Sequence, residues 1–301
     1  MMASDLVEVL CAAHLSFHVD SPFPERGGLM LVGPPGALKS TFLKILDGQY
    51  HDAVTMSDIN ARGLVDLRDQ ISNGAIRSLV LPELAKIYER HESTARNVEG
   101  TLRAMTAEGF QAASFEDQRI SRLTARAMVI AGMTSATREK NFRTWEESGF
   151  NRRFLWSLIR LADPDVLVRA VVNWKTLKFQ FDHVPRAPVS GTIPYHVSRS
   201  ESVLIRNWVK YQPGGSGAVH VQLMTKILCV LRWWYKQVSP ERDALATVSR
   251  FAESLGRTGA DIDIVEEVPS MQQRAADTRK AKKLYLSEAA RHLAKSRNRR
   301  K

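Results

Sequence analysis

A lysine followed by two hydroxyl residues comes directly after a stretch rich in glycine and proline, within GLMLVGPPGALKSTFLKIL at residues 28–46. An apolar segment precedes these residues and a helical pattern follows them, which is the arrangement of a phosphate-binding loop. Such a loop points successive backbone N–H groups into one concavity at a helix N-terminus, where a phosphate is held. The predicted phosphate-binding residues are Gly33, Pro34, Pro35, Gly36, Ala37, Leu38, Lys39, Ser40 and Thr41.

Separate tasks can be assigned within this loop. Gly33 and Gly36 allow tight turning and close approach of the backbone to a ligand. Lys39 would reach the β and γ phosphates of a nucleoside triphosphate, and Ser40 would bind Mg²⁺. Leu38 stands where the usual G-x-x-x-x-G-K-[ST] pattern has its last glycine, so it would be strained if that position needs a positive φ. An ordinary strand-turn-helix corner explains the glycines but not the lysine-serine-threonine run, and we therefore interpret the stretch as a nucleotide site.

The elements that must position the loop follow from the hydrophobic pattern. Apolar runs typical of buried parallel strands occur at residues 29–32, 76–81, 125–135 and 152–161. Helical patterns precede, separate or follow them, at residues 5–17, 40–47, 61–73, 84–109 and from 201 onward. Strands that alternate with helices predict a three-layer α/β fold with a parallel sheet. Prolines recur between residues 163 and 200, which indicates a linker that holds one further candidate strand at 176–181.

Positive charge is concentrated at the carboxyl end of the chain. Residues 271–301 carry eleven Lys and Arg against two acids, a charge of +9, which leaves +2 of the net +11 for the other 270 residues. Such a polycation commonly meets a phosphate backbone, although a solvated basic tail is the alternative. The tail residues that we expect to contact nucleic acid are Lys282, Lys283, Arg291 and Lys295.

Several classes of protein are disfavoured by composition. Two cysteines, Cys11 and Cys229, offer no disulfide framework, which favours a reducing compartment such as the cytoplasm. Acidic residues near the start disfavour a secretory signal peptide. No apolar run approaches the ~18 residues that a membrane span needs, and the eight histidines lack metal-ligand spacing.

The loop resembles the Walker A stretch of the AAA+ ATPases, and specifically that of the minichromosome maintenance (MCM) helicases, whose form G-D-P-G-x-A-K-S also lacks the glycine before the lysine. SLVLPELAKIY at 78–88 resembles their Walker B strand, and residues 101–135 resemble their helix, hairpin and sensor 1 strand. FNRRFLWSLIRLADPD at 150–165 is similar to the arginine-finger segment with its S-R-F motif, and RFAESLGR at 250–257 is weakly similar to the R-L-A-E-A helix of the lid. The separate N-terminal DNA-binding domain of MCM proteins has no counterpart in the sequence.

The resemblance implies a domain organisation. Residues 1–27 would form an N-terminal helix and entry segment, followed by the AAA+ P-loop NTPase core and a linker. A C-terminal helical lid and the basic tail would complete the chain. The expected boundaries of these four later segments are 28–165 for the core, 166–200 for the linker, 201–270 for the lid and 271–301 for the tail.

The resemblance also implies catalytic roles. Glu83 falls on the Walker B glutamate, which polarises the attacking water, and the alternative is a carboxylate stabilised by a helix N-terminus. Thr134 falls on the sensor 1 residue that orients water or touches the γ phosphate, and the alternative is a capping hydroxyl. Arg153 falls on the arginine finger, which acts on a neighbouring subunit, with Arg152 as the adjacent candidate and a surface ion pair as the alternative.

One position departs from the family pattern. Pro82 occupies the place of the Walker B aspartate that helps to hold Mg²⁺, so that Ser40 and waters would hold the ion unless Asp58 or Asp66 compensates. In the lid, Arg242 or Arg250 would be the sensor 2 arginine.

DNA contact is implied by the hairpin at residues 110–124, which carries Arg119 and Arg122, since comparable hairpins of MCM-like motors project into the central channel. The resemblance therefore implies an ATP- and Mg²⁺-dependent DNA helicase or translocase that assembles as a hexamer and serves replication of a phage or mobile element in the host cytoplasm. A nucleotide-dependent assembly switch with weak or no hydrolysis is the first alternative. A basic DNA-binding protein with a vestigial loop is the second.

Overall fold

A computed structural model describes residues 1–109, 125–161, 184–188, 191–212, 218–256 and 259–262. Within these residues, six parallel strands form the central sheet. They are β2 (Gly28–Gly33), β3 (Ala53–Thr55), β4 (Ser78–Leu81), β5 (Met128–Thr134), β6 (Phe154–Leu161) and β8 (Ala260–Ile262). Their spatial order is β3-β4-β5-β2-β6-β8. Two short segments, β1 (Val19–Asp20) and β7 (Ile193–Pro194), pair in a separate parallel ladder.

The helices cover both faces of this sheet. They are α1 (Ala3–Leu15), α2 (Lys39–Gln49), α3 (Ala61–Asp66), α4 (Arg68–Ser72), α5 (Glu92–Thr106), α6 (Ser135–Ser148), α7 (Arg199–Val209), α8 (Ala218–Val238) and α9 (Ala244–Ala252). Short 3-10 turns occupy Ser16–His18, Leu84–Glu89, Phe150–Arg153 and Glu253–Leu255.

The strand that leads into the loop is enclosed on both sides. Each residue of β2 is buried, because β5 pairs with it on one edge and β6 on the other. Alternate side chains of a strand point to opposite faces, and here Leu29 and Leu31 join one hydrophobic cluster while Met30 and Val32 join the other. A continuous apolar run is what a strand buried on both faces requires.

Two hydrophobic clusters define the three layers. The first contains α2, through Phe42 and Leu43, together with α1, α8 and α9. The second contains α3, α5 and α6, through Leu64, Leu102 and Trp145. The predicted α/β class, with a parallel sheet between two helical layers, is therefore confirmed.

The predicted strands lie within a few residues of the observed ones, but other details of the prediction were wrong or incomplete. The single helix predicted at 61–73 is two helices that meet at Leu67. The strands β3 and β8 and the helix α6 had not been predicted. The hairpin at 110–124, the candidate strand at 176–181 and the tail at 271–301 lie outside the described residues.

The helices of the segment predicted as a lid share a core with the sheet. Residues of α8 such as Ile227 and Leu228 belong to the same cluster as Leu29 of β2, and α1 contacts both α8 and the sheet strand β5. Two ion pairs reinforce this packing, since Arg250 binds Asp5 and Arg242 binds Glu8. In this structure α1 therefore stabilises the packing of the C-terminal helices on one face of the sheet.

A buried polar cluster ties α1 to the strands. His14 Nδ1 lies 2.8 Å from the Oγ of Ser78, and its Nε2 lies 3.1 Å from a carboxylate oxygen of Asp52. These are the residue types of a hydrolytic triad, but His14 and Ser78 have no solvent exposure. Because no substrate reaches the serine, we interpret the cluster as structural: its polar contacts hold α1 against the strands.

Candidate nucleotide-binding site

The loop after β2 lies beside the end of β5, and the helices that follow these two adjacent strands pack on opposite faces of the sheet. The connection from β2 runs through α2 into the first cluster, whereas the connection from the adjacent β5 runs through α6 into the second. Gly33, the last residue of β2, pairs with Thr134, the last residue of β5. In open parallel sheets, ligands bind in the crevice outside the carboxyl ends of two such strands.

The loop backbone takes the left-handed conformation at two positions. Gly36 has φ 81°, and Leu38 has φ 54° and ψ 16° immediately before α2 begins. Leu38 is the one non-glycine residue with a positive φ among the described residues. A left-handed conformation costs a residue with a side chain about 1–2 kcal/mol. The loop thus keeps the conformation that glycine supplies in related patterns, and a strained residue of this kind commonly marks a functional site.

The side chain of Lys39 forms hydrogen bonds with the backbone of the loop. Its Nζ donates hydrogen bonds to the carbonyl oxygens of Gly33 at 3.0 Å and Pro34 at 2.7 Å. Desolvation lowers the pKa of Lys39, because the residue is largely removed from water. The ammonium therefore lies within the concavity where a phosphate would bind, held by carbonyl groups that an anion could replace as its partners.

Ser40 and Gly132 bring α2 close to two neighbouring strands. Ser40 Oγ donates a long hydrogen bond of 3.4 Å to the carbonyl of Pro82, directly after β4. A Cβ on Gly132 of β5 would lie 2.8 Å from that same carbonyl oxygen and 3.1 Å from Leu43 Cδ1. The glycine thus permits the close packing of α2 over β5. Sequence reasoning missed Gly132, although an isolated glycine inside a buried strand is itself a signal of close backbone approach.

Glu83 is exposed and pairs with a neighbouring lysine in this structure. Its carboxylate accepts a 2.7 Å ion-paired hydrogen bond from Lys86, and more than half of its side chain is exposed. The hydrogen bond and the charge of Lys86 lower the pKa of Glu83. An exposed ion pair of this type contributes little to stability, so the carboxylate can exchange this partner at small cost.

The two carboxylates that could replace the aspartate missing at Pro82 are Asp58 and Asp66. Asp58 forms an ion pair with Arg90, and Asp66 is exposed at the end of α3. Within the described residues, no group of three or more His, Cys, Asp or Glu side chains is arranged to hold a metal ion. A Mg²⁺ ion at this site would therefore rest on Ser40, on nucleotide phosphates and on waters, a ligand set that Mg²⁺ commonly accepts.

Thr134 lies at the crevice and caps α6. Its Oγ1 accepts a hydrogen bond of 3.2 Å from the backbone N–H of Thr137 and lies 2.9 Å from the Thr137 hydroxyl. The capping alternative thus describes its contacts in this structure, whereas its pairing with Gly33 places it beside the loop.

Arg153 lies at the amino-terminal ends of the strands, opposite the nucleotide loop. It precedes β6, whose first residue, Phe154, pairs with Gly28 at the start of β2. Five strand residues, or roughly 17 Å, therefore separate its level from that of Gly33. Arg153 forms an ion pair with Glu108, and the adjacent Arg152 is exposed. Any contribution of Arg153 to a nucleotide site must be to the site of a neighbouring chain.

The two sensor 2 candidates both contact α1. Arg250 donates to the two carboxylate oxygens of Asp5 at 2.7 and 2.8 Å, and this contact raises the pKa of Arg250. Arg242 donates to Glu8, with one of its two contacts at 3.0 Å. The predicted nucleic-acid contacts Arg119, Arg122, Lys282, Lys283, Arg291 and Lys295 lie outside the described residues.

No protein-family model matches the chain, and a search of curated proteins gave no match either. Of the described helices, none combines the length and the apolar character that crossing a bilayer requires. Cys11 and Cys229 are both buried free thiols.

Proposed function

We propose that the chain binds Mg²⁺-ATP at the loop after β2 and uses it as an AAA+-type ATPase, an oligomeric motor that acts on DNA. The observation that carries the proposal is the left-handed conformation of Leu38 next to an inward-facing Lys39. A turn without a ligand to bind has no need of a strained leucine or of a desolvated ammonium. Both features serve a loop that must wrap its amides around an anion.

The chain's own residues have distinct tasks in nucleotide binding. The amides between Gly33 and Ser40 would donate to the phosphates at the N-terminus of α2, where the helix dipole favours negative charge. Lys39 would exchange the carbonyl oxygens of Gly33 and Pro34 for phosphate oxygens. Ser40 would take Mg²⁺ with its hydroxyl, and the ion supplies charge neutralisation of the β and γ phosphates.

Hydrolysis needs groups that reach the terminal phosphate. Glu83 would position the attacking water after leaving Lys86, and Thr134 lies at the end of the adjacent strand to assist it. Arg153 would offset transition-state charge at the site of the neighbouring subunit. This last assignment makes the active unit an oligomer, and a hexameric ring is the form that the family resemblance implies.

DNA is the proposed polymer on which the motor acts. The support comes from the sequence, in the segment 110–124 with Arg119 and Arg122 and in the basic residues of 271–301. Arginines at hairpins suit phosphate contact, and a polycationic tail favours association with a nucleic acid.

A second candidate function is a nucleotide-dependent assembly switch. Two observations favour it, namely the absence of a carboxylate at Pro82 and the pairing of the exposed Glu83 with Lys86. In this case ATP would bind and control oligomerisation, but turnover would be slow.

One experiment separates these functions. Phosphate release from Mg²⁺-ATP is measured with and without single-stranded DNA, for the wild type and for Lys39→Ala, with Lys44→Ala on the exposed face of α2 as the matched control. Turnover that DNA stimulates, and that only Lys39→Ala abolishes, supports the motor. Binding without turnover supports the switch, and failure to bind nucleotide contradicts both.

A further inference from the structure

An unassigned cluster of arginines occupies the amino-terminal edge of the sheet, opposite the nucleotide loop. Arg26, Arg77 and Arg126 come directly or almost directly before β2, β4 and β5, three strands that are neighbours in the order β4-β5-β2. Side chains of all three line one cleft of about 260 Å³. We refer to this feature as the arginine cleft. Its members are 49 or more positions apart in the chain pairwise, so only the sheet order brings them together.

Arg77 is held in a fixed place in the cleft. Its guanidinium carbon lies 4.2 Å from the centroid of the Phe17 ring, and its Nε lies 3.7 Å from a carboxylate oxygen of Asp52. Gly74 is also close, since a Cβ added there would lie 3.1 Å from Arg77 Nη2. The guanidinium therefore contacts an aromatic ring and lies near the backbone of Gly74.

Arg126 is held through its guanidinium, and Arg26 is held through its backbone. Arg126 donates from Nε and Nη2 to the carbonyl oxygen of Glu108, at 3.3 and 2.9 Å. The backbone N–H of Arg26 donates to the Thr106 carbonyl at 3.0 Å. Burial, together with the charges of Arg77 and Arg126, lowers the pKa of Arg26. Arg26 thus lies close enough to the other two arginines for their charges to act on it.

The cleft has donors but lacks an acid among its lining residues in the described part of the chain. Ser72, which also lines it, has a buried hydroxyl with no hydrogen-bond partner within the described residues. Guanidinium groups match the oxygens of a phosphate in geometry and charge, and their preorganisation reduces the entropy lost on binding. An oxyanion in the cleft would relieve the repulsion that Arg77 and Arg126 exert on Arg26.

We propose that the arginine cleft binds backbone phosphates of a nucleic-acid strand. With neighbouring strands about 4.8 Å apart, the positions before β4, β5 and β2 span roughly 10 Å. Phosphates of one duplex strand advance by about 3.4 Å along the helix axis per nucleotide and are further apart through space, so this span suits two consecutive phosphates better than one free ion. The segment predicted to contact DNA also joins the described residues at this edge, after Gly109 and before Ala125.

The test measures how salt weakens binding of a fluorescent oligothymidylate to the full chain, by anisotropy. The variant Arg26→Gln/Arg126→Gln removes two charges from the cleft. The matched control Arg96→Gln/Arg143→Gln removes two exposed arginines that pair with acids on their own helices. Each lost phosphate contact lowers the slope of log affinity against log salt by about 0.7, which corresponds to roughly 5-fold in affinity at 0.1 M salt. We therefore expect the cleft variant to lose about 1.4 in slope and roughly 25-fold in affinity, and the control to keep the wild-type values.

The outcomes separate this inference from the proposed function, on whose DNA partner it rests. If the wild type binds no oligonucleotide, both the DNA partner and the cleft inference are overturned. If the wild type binds and the cleft variant behaves as the control does, the inference alone is overturned. A third outcome is that inorganic phosphate raises the melting temperature of the wild type but not of the cleft variant, while the salt slopes of DNA binding are equal in both. This result would assign the cleft to a free phosphate and overturn the proposal that it binds a nucleic-acid strand.

A measurement on the wild type covers failure of the variant to fold. Phenylglyoxal modifies accessible arginines, and the modified positions are read by mass spectrometry with and without the oligonucleotide. We expect DNA to protect Arg26 and Arg126 and to leave Arg143, whose side chain is 92% exposed, unprotected. Equal modification of Arg26 and Arg126 in both samples contradicts the inference.

Discussion

Substitution of Leu38 tests whether the loop holds the left-handed conformation that phosphate binding requires. At most helical positions alanine is more stable than glycine, by about 0.5–1 kcal/mol. At Leu38 the order should reverse, because φ is 54° there and only glycine adopts such a value without strain. We therefore compare Leu38→Ala with Leu38→Gly, two variants that both remove the leucine side chain and differ only at Cβ.

The magnitude follows from two opposing terms. Strain in the left-handed region costs alanine about 1–2 kcal/mol. The greater freedom of glycine in the unfolded chain offsets about 0.5–1 kcal/mol of this difference. The net expectation is that Leu38→Gly is more stable than Leu38→Ala by roughly 0–1.5 kcal/mol, with a midpoint of about 0.75 kcal/mol. Both lose the packing of the half-buried leucine against the first cluster, and this loss cancels in the comparison.

The assay is urea unfolding followed by circular dichroism, with equal m values as the check that the transition is the same in both variants. Gly100 in α5 provides the matched control, because nothing lies within 4 Å of a Cβ added there. At that position alanine should be the more stable residue. If alanine is also the more stable residue at position 38, the backbone there is not left-handed and the argument for a phosphate loop from Leu38 is refuted.

Three further predictions concern the packing, the acid stability and the trans contact. Gly132→Ala should destabilise the fold by about 1–3 kcal/mol in urea unfolding, because its Cβ would approach the Pro82 carbonyl to 2.8 Å; a neutral effect would show that α2 has room to move. The hydrogen bond from Arg232 lowers the pKa of Glu201 to about 2. Above the unfolded-state pKa of about 4.3, the ionised Glu201 therefore stabilises the fold fully. This stabilisation is lost as the pH falls toward 2. The stability advantage of the wild type over Glu201→Gln should accordingly shrink between these pH values in a series of unfolding curves, and a constant difference would refute the ion pair. Arg153→Ala should bind ATP normally but lose about 10³-fold or more in turnover, and mixing it with Lys39→Ala should restore part of the activity if the arginine acts on a neighbouring chain.

The parts of the fold that the sequence predicted are those with a strong local signal. Four central strands are long apolar runs, and the loop has a spacing that few structures other than a phosphate site explain. By contrast, β3 has three residues, and only its pairing with β4, from Ala53 with Ser78 to Thr55 with Val80, defines it as a strand. Helix α6 is mostly polar, and Trp145 is the residue that it buries, so its sequence offers little amphipathic pattern.

The site could be predicted in part for the same reason. Residues 33–41 are contiguous, so their chemistry can be recognised without the fold. The partners of Arg153, Arg242 and Arg250 are distant in sequence and belong to other elements, so no spacing rule identifies them. The role of Gly132 depends on how closely α2 approaches β5, and the arginine cleft exists only because of the strand order. Long-range packing of this type is not encoded in any local pattern.

Binding of a non-hydrolysable ATP analogue with Mg²⁺, measured by titration calorimetry, tests the central claim most directly. We expect saturable binding by the wild type at a Kd well below about 1 mM, retained binding by the control Lys44→Ala, and loss of binding by Lys39→Ala. Absence of heat at millimolar analogue in the wild type, or equal binding by Lys39→Ala, would contradict the claim that residues 33–41 form a nucleotide site.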